Sequence, residues 1–425
     1  MSRTRIRSGS AQLDVLVLDA RLRQSLVCIQ RLGRGGLTVG AAESAGQDDD
    51  AVPAFRSRWC RARAWLPAHD EPDAVQLQEL LQLIRQSRPR VLLASHDGTI
   101  ELVRRHRAEL ERHVAIALAP EPALAVAVDK DRTLELADRL GIGVPRGMGV
   151  SDPAELRAAA HEVGFPAVVK PAQSWLGSGA SAARLTARLV CSPAELDRAA
   201  GEVLSLGGHV LVQPWLPGRR EAVMTLRANG RLCAEFAQVA HRMTPPLGGT
   251  SVLRESIPVP HDIGRATRRL VDAMGLEGVA EVEFRRDAAG RPLLMEVNSR
   301  LSASVLVAVR AGVDLPAMLW RWAAGEPVEP VRSYRTGVRV RWLGGEIDWL
   351  RETMHSQGRP DVPTRRRAAA MLLRDTLRPS GYDYVDLRDP VPAVVAASDL
   401  VGDLSRAAGR RLRPLRRTRR TAPAA

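Results

Sequence analysis

Lysine is almost missing from this chain of 425 residues: of 62 lysines and arginines only Lys130 and Lys170 are lysine, leaving sixty arginines. A pressure that put arginine wherever arginine would serve has spared two positions. Arginine is a broad planar fork and lysine a compact point charge on a flexible stem, so both positions read as needing a slim cation in a tight place, such as against a phosphate oxygen. Cysteine is scarce as well. Cys28, Cys60, Cys191 and Cys233 lie far apart with no C-x-x-C pair, so neither a disulfide framework nor a zinc site is suggested, and a reducing cytoplasm fits. Long apolar runs are also lacking. No window approaches the roughly 20 residues of a membrane span, and the short run Leu13–Leu18 carries Asp14, which is too little for a signal peptide. A cytoplasmic protein without a membrane span is the expectation.

The net charge of +14 resembles a nucleic-acid signature until it is located. Residues 401–425 hold eight arginines against the single Asp403, so about half of the excess sits in a tail. That tail has no aromatic residues to stack on bases and no helical period, which speaks against nucleic acid. A solvated, disordered tail is expected, with contact to an anionic partner as the other reading.

At roughly 150 residues per domain the length allows about three domains. Strand-like Leu13–Leu18, Leu37–Ala41 and Arg90–Ala94 alternate with helical Arg21–Leu32, Asp73–Gln86 and Thr99–Leu110, which predicts a parallel α/β domain over 1–120. Gly33-Arg-Gly-Gly36 follows a helix and reads as its stop. Ser95-His-Asp-Gly98 follows a strand, where open α/β sheets bind ligands, yet it also reads as a plain helix cap.

From residue 121 the pattern sharpens. Asp129 or Asp131 caps a helix over Thr133–Leu140 and places Lys130 at its start. Ser151-Asp-Pro-Ala-Glu-Leu156 and Ser192-Pro-Ala-Glu-Leu196 each carry a cap, an early proline and a glutamate three residues on. With strands at Phe165–Lys170, Ala183–Val190 and His209–Gln213, residues 144–216 read as a lid of two helices on an antiparallel sheet. The loop Gln173–Ser181, with Ser178 among its serines, has small residues that let backbone N–H groups approach a phosphate. Val210–Gly218 then runs from strand into an apolar hinge at Gln213, Trp215 and Leu216, followed by Glu221. Such a hinge could sandwich a flat base and such an acid could accept from sugar hydroxyls, although an ordinary strand exit has the same pattern.

The stretch Gly278–Arg300 reads as a hairpin turning at Asp287–Gly290. Side chains alternate along a strand, so Glu296, Asn298 and Arg300 share a face and Glu283 stands opposite on the partner strand. Two acids across a ladder repel unless a cation lies between them, and Mg²⁺ suits an all-oxygen set.

In this ordered set the chain resembles the ATP-grasp superfamily, in its carboxylate–amine ligase branch with a carbamoyl-phosphate-synthase-like ATP-binding domain. The resemblance covers residues 120–325. It implies an α/β protein, α+β in the nucleotide-binding part: an ATP-grasp domain over 121–330 behind the N-terminal parallel domain, then an extension over 331–400 and the tail at 401–425. Carried over position by position, Lys130 and Lys170 match phosphate-binding lysines, with Ser178 in the loop beside them. Gln213, Trp215 and Leu216 match the adenine hinge, and Glu221 the ribose acid. Glu283, Glu296 and Asn298 match the ligands of Mg²⁺, or of Mn²⁺ in its place. Arg300 matches the arginine that steadies the γ-phosphate and the reacting carboxylate, and with Lys170 it is assigned to catalysis.

The implied chemistry is formation of an acyl phosphate from a carboxylate and ATP, then capture by an amine with release of ADP and phosphate. The partners are therefore small-molecule carboxylate and amine substrates, with a homo-oligomer left open. A small-molecule kinase and a silent nucleotide-binding regulator are the alternatives on the same scaffold. For the acceptor, the polar segment His241–Ser251 is expected to form a loop, with Arg242 or Arg254 pairing a carboxylate, while His241 reads as structural. Trp320, Trp322, Trp342 and Trp349 read as packing residues.

Overall fold

The computed structural model describes residues 12–45, 52–177, 183–246 and 248–412, with 403–412 as backbone only. The first part is a five-stranded parallel sheet of β1 (Val15–Val17), β2 (Val39–Ser44), β3 (Cys60–Leu66), β4 (Val91–Leu93) and β5 (Ala115–Ile116) in the order β3-β2-β1-β4-β5. It is crossed by α1 (Arg23–Arg34), α2 (Asp73–Ser87), α3 (Asp97–Arg105) and α4 (Arg107–Leu110). β1 and β4 are buried throughout and read as unbroken apolar runs, as central parallel strands do. β3 and β5 were not expected. In β3 the sequence Cys-Arg-Ala-Arg-Ala alternates buried and exposed residues, so its period was masked by arginines on the solvent face. Helix α1 passes its predicted stop at Gly33, runs to Arg34 and is capped by Gly35; glycine stands at 33 because Trp59 packs where a side chain there would be.

Next come α5 (Ala123–Ala127) and α6 (Lys130–Arg139), whose cap is Asp129, accepting from the Arg132 N–H at 3.1 Å. β6 (Met148–Val150), α7 (Leu156–Val163), β7 (Ala167–Pro171), β8 (Trp175–Leu176), β9 (Ala183–Arg184), β10 (Arg188–Val190), α8 (Pro193–Leu204) and β11 (Val210–Pro214) follow. An antiparallel sheet β10-β7-β11-β6 forms with α7 and α8, around a core of its own that includes Val150, Leu156, Val169 and Val212. The run predicted as one strand over 183–190 breaks in two, with β9 leaving this sheet to pair with β8.

The largest sheet has seven strands in the order β16-β15-β12-β13-β14-β17-β18. They are β12 (Arg220–Ala228), β13 (Arg231–Thr244), β14 (Thr250–Ile257), β15 (Gly278–Arg286), β16 (Pro292–Asn298), β17 (Arg339–Arg341) and β18 (Gly381–Tyr382). Helix α9 (His261–Met274) joins β14 to β15 and packs its Ile263 and Leu270 into the core that holds Phe284. Then come α10 (Val305–Ala311), α11 (Leu315–Ala323), α12 (Leu343–His355), α13 (Arg365–Thr376) and α14 (Val391–Leu412). No helix among the described residues is long and apolar enough to cross a membrane.

The acceptor loop expected at 241–251 is mostly strand. β13 runs through Thr244 and β14 resumes at Thr250, and both arginines assigned to a substrate are structural. Arg242 is buried against Glu346 and, at 2.7 Å, Asp375, while Arg254 is buried against Asp383 at 2.5 Å. Asp383 also takes Arg23 of α1 at 2.6 Å, so one carboxylate ties the C-terminal segment to both the large and the parallel sheet. Desolvating these guanidiniums is tolerable only because each has a carboxylate in contact.

Candidate active site

The turn of the β15–β16 hairpin is fixed locally. Asp287 accepts from the N–H groups of Ala289 and Arg291, both at 2.9 Å, and Gly290 takes a left-handed φ of 78°. The register then sets Glu283 across from Glu296 and Glu281 across from Asn298, on one face. The Asn298 amide lies 3.4 Å from Glu283 and 3.3 Å from Glu296. Burial pushes the Glu283 carboxyl well up. Burial acts on Glu296 too, but Lys130, Arg220 and Lys170 outweigh it and hold that carboxyl below its ordinary value. Arg220 of β12 donates to Glu283 at 2.6 Å, so a cation already stands among the acids.

Across a cavity of about 570 Å³ stand the two lysines. Lys130 opens α6 and donates to the Ser174 hydroxyl at 3.1 Å. Lys170 lies on β7 with its ammonium 3.7 Å from the Met295 sulfur, and burial lowers its pKa to about 8. Gln213, Trp215 and Leu216 close another end. Gln213 lines the cavity, and its side-chain oxygen is buried without a hydrogen-bond partner among the described residues. Arg285 stacks on Trp215 at 4.5 Å and donates to the Leu216 carbonyl at 2.7 Å. Gly218 lets the chain turn in behind the hinge, since a Cβ there would lie 2.0 Å from the Arg286 carbonyl oxygen. Arg300 also lines the cavity, and its Nε donates to Asp97 at 2.9 Å.

Two expectations do not meet this geometry. Glu221 pairs across the ladder with Phe284, on the face opposite Glu283, where Arg286 of the α9 side holds it at 2.7 Å. It is not among the residues lining the cavity, and the strand residue that does point there is Arg220. Ser178, with the loop through Ser181, lies outside the described residues.

A family described as ATP-grasp in the biosynthetic pathway with Ter operon matches residues 208–346. The D-alanine–D-alanine ligase of Pseudomonas entomophila is 30% identical over 186 residues, covering 42% of this chain and 56% of that protein. The carbamoyl phosphate synthase large chain of Thermus thermophilus is 26% identical over 309 residues, 67% of this chain and 29% of that one. Among solved structures, N5-carboxyaminoimidazole ribonucleotide synthetase in its ADP complex superposes with a TM-score of 0.60 at 15% identity, covering 89% of this chain and 98% of the other. The L-amino acid ligase of Bacillus licheniformis gives 0.60 at 15% over 78% and 80%. The chain has the ATP-grasp fold, and residues 208–346 carry that family's pattern. It spans about half the length of the D-alanine–D-alanine ligases it matches.

In this ATP-grasp fold, sequence reasoning missed several cavity residues. Asp97 was read within a helix cap; it does open α3, but its carboxylate holds Arg300 and lies 3.7 Å from Arg184. Those cations outweigh the burial that would otherwise raise it, and its pKa falls. Arg220 could have been found from phase alone, since 220 and 222 share a face of β12 and 221 does not. Glu352, Ser356 and Arg359 of the C-terminal extension also reach the cavity, and no local signal marks them. Arg359 bonds Glu195 of α8 at 2.8 Å, and Asp361 accepts from the Trp215 indole at 2.5 Å, so this segment straps lid and hinge together.

Proposed function

We propose that this chain is an ATP-dependent ligase that joins a carboxylate to an amine through an acyl phosphate, releasing ADP and phosphate. The observation that carries the proposal is one cavity in which Glu283, Glu296 and Asn298 face Lys130 and Lys170, with Arg300 on the rim and the unpartnered Gln213 oxygen at the hinge. Relatives named D-alanine–D-alanine ligase and L-amino acid ligase belong to the same reaction class and support it.

The donor set fits Mg²⁺ or Mn²⁺: two carboxylates and the Asn298 amide, which donates its N–H to both acids here and offers a third hard oxygen on turning over, with Arg220 standing at Glu283 in the place of a cation. Such an ion would be held by Glu283, Glu296 and Asn298 and would neutralise phosphate charge as ADP leaves. The Gln213 oxygen suits the exocyclic amine of adenine, and Trp215 and Leu216 supply the flat apolar slot. Lys130 and Lys170 hold phosphate oxygens as point charges. Arg300, kept in place by Asp97, faces the carboxylate that attacks the γ-phosphorus and later the oxyanion that forms at its carbon. The lid keeps water from the acyl phosphate.

The test is incubation with ATP, Mg²⁺ and a pool of small carboxylates and amines, following ADP, phosphate and product mass. An amide with stoichiometric ADP and free phosphate is expected. A product that retains the phosphoryl group would make the protein a kinase, and nucleotide binding with no turnover would make it a regulator.

A further inference from the structure

At the carboxyl end of the parallel sheet three side chains come together, two of them against Trp175, and none of them is used by the proposed chemistry. Asp19 follows β1, His69 follows β3 and His96 follows β4, and one ligand atom from each lies within 4.8 Å of the others. With the order β3-β2-β1-β4-β5 the chain reverses direction of winding between β1 and β4, so Asp19 and His96 flank the switch point where open α/β sheets take ligands.

The cluster is built, not incidental. Asp19 adopts a left-handed φ of 59°, unfavourable for a residue with a Cβ. Its carboxylate accepts from the N–H groups of Ser95 at 2.8 Å and His96 at 2.7 Å and from the Thr99 hydroxyl at 2.5 Å, fixing the His96 loop. The His96 Nδ1 accepts from the Gly98 N–H at 3.2 Å, so the neutral ring carries its proton on Nε2. His69 stacks on it with centroids 4.7 Å apart and planes within 19° of parallel. Stacked rings so nearly parallel cannot aim both in-plane lone pairs at one ion, which argues for a proton or an amine as the guest and against a metal.

Two contacts connect the pair to the reaction. Trp175 of the lid sets its ring against both imidazoles at 5.4 Å, and it fits only because residue 98 is glycine, where a Cβ would lie 2.8 Å from the indole. Asp97, the neighbour of His96, holds Arg300. Burial lowers the pKa of both histidines, although Asp19, Asp70 and Asp97 pull the other way, with Arg184 reinforcing the burial at His96. Glu43 of β2, beside Asp19, is pushed up to about 7 by burial and by that carboxylate, and Ser44 stands 3.4 Å from the His69 Nε2.

We propose that the acceptor amine binds between this sheet end and Arg300, and that His69 takes its proton. The inference rests on the ligase reading. In the step, the lone pair of an uncharged amine forms the C–N bond to the acyl carbon, the C–O bond to phosphate breaks with its electron pair leaving on phosphate, and the nitrogen proton passes to the His69 imidazole. His96 is a positioning residue that holds His69 by stacking.

Hydroxylamine separates the halves, because it is mostly uncharged at neutral pH and captures acyl phosphates without a base. The full chain is given Mg²⁺-ATP and a pool of amino acids and small di- and tricarboxylates, with hydroxylamine or the pooled amines as acceptor. His69→Gln is expected to form hydroxamate within about twofold of the unaltered protein while amide formation falls about 100-fold or more, the range of a lost general base. Added imidazole should restore part of the amide rate in His69→Gly, and the acid limb of the amide pH profile should vanish. His69→Phe, which keeps the ring stack, controls for folding and should behave as His69→Gln does. Equal retention or equal loss of both products in these variants overturns the assignment. Absence of hydroxamate from the unaltered protein overturns the ligase reading beneath it.

Discussion

Lys170 shows what burial does to a residue the composition singled out. Its ammonium titrates near pH 8 when folded, against an ordinary 10.5, because few groups replace the water it has lost. Between those values the unfolded chain binds more protons than the folded one, so the ligand-free protein gains stability as pH rises from about 8 to 10.5. ATP affinity runs the other way, since the phosphate needs the charged form. ATP titrations at pH 7 and pH 9 should therefore show binding weakened about tenfold at the higher pH, and Lys170→Ala should weaken it by about 10- to 100-fold at pH 7, the worth of a charged hydrogen bond. Glu221 makes the contrast. It looked like a nucleotide contact because it follows the hinge, yet strand alternation turns it to the Arg286 side. Glu221→Gln should leave ATP affinity within about twofold and cost about 1.5–3 kcal/mol in urea unfolding, because Glu221 is buried and loses a charged hydrogen bond to Arg286.

At the scale of elements, what could be read in the sequence was what is local. The β15–β16 hairpin carries its own turn chemistry and a period of two, which sets Glu296 and Asn298 on one face, while a bulge at Met295 shifts the register by one residue and brings Glu283 opposite Glu296. The capped starts of α6 and α8 are local for the same reason. Strand β3 was illegible because its outward residues are arginines and its inward ones small. Arg242 and Arg254 were misread because their carboxylate partners lie 104 and 129 residues away, beyond any local pattern. Replacing Arg242 with alanine takes one cation from Glu346, which keeps Arg341 at 3.1 Å, and one from Asp375, which keeps Arg339 at 3.2 Å, so it costs about 1.5–3 kcal/mol, the worth of a charged hydrogen bond. Urea unfolding should show that loss, with the KM for substrates in the folded fraction unchanged. A KM defect at full stability would return Arg242 to the substrate site. The strap at 359–361 gives a milder effect: Asp361→Asn should speed ADP release severalfold in stopped-flow fluorescence, because it loosens Trp215 at the hinge.

Across the whole molecule, the cavity is assembled from parts distant in the chain. Asp97 brings the parallel sheet to Arg300, Lys130 and Lys170 come with α6 and the lid, and the acids come with the large sheet. The C-terminal extension adds Arg359 and Asp361 and locks the assembly through Asp383. Every residue named in this assembly lies before residue 390, and removing 413–425 should leave ADP release unchanged. Such an arrangement makes sense if a carboxylate oxygen must reach phosphorus inside a closed, dry space before any amine arrives. That order leaves an isotopic mark. With a carboxylate substrate labelled by ¹⁸O in both oxygens, the acyl-phosphate route predicts one ¹⁸O in each molecule of released phosphate, read by mass spectrometry. Phosphate free of label beside a labelled amide product would contradict it.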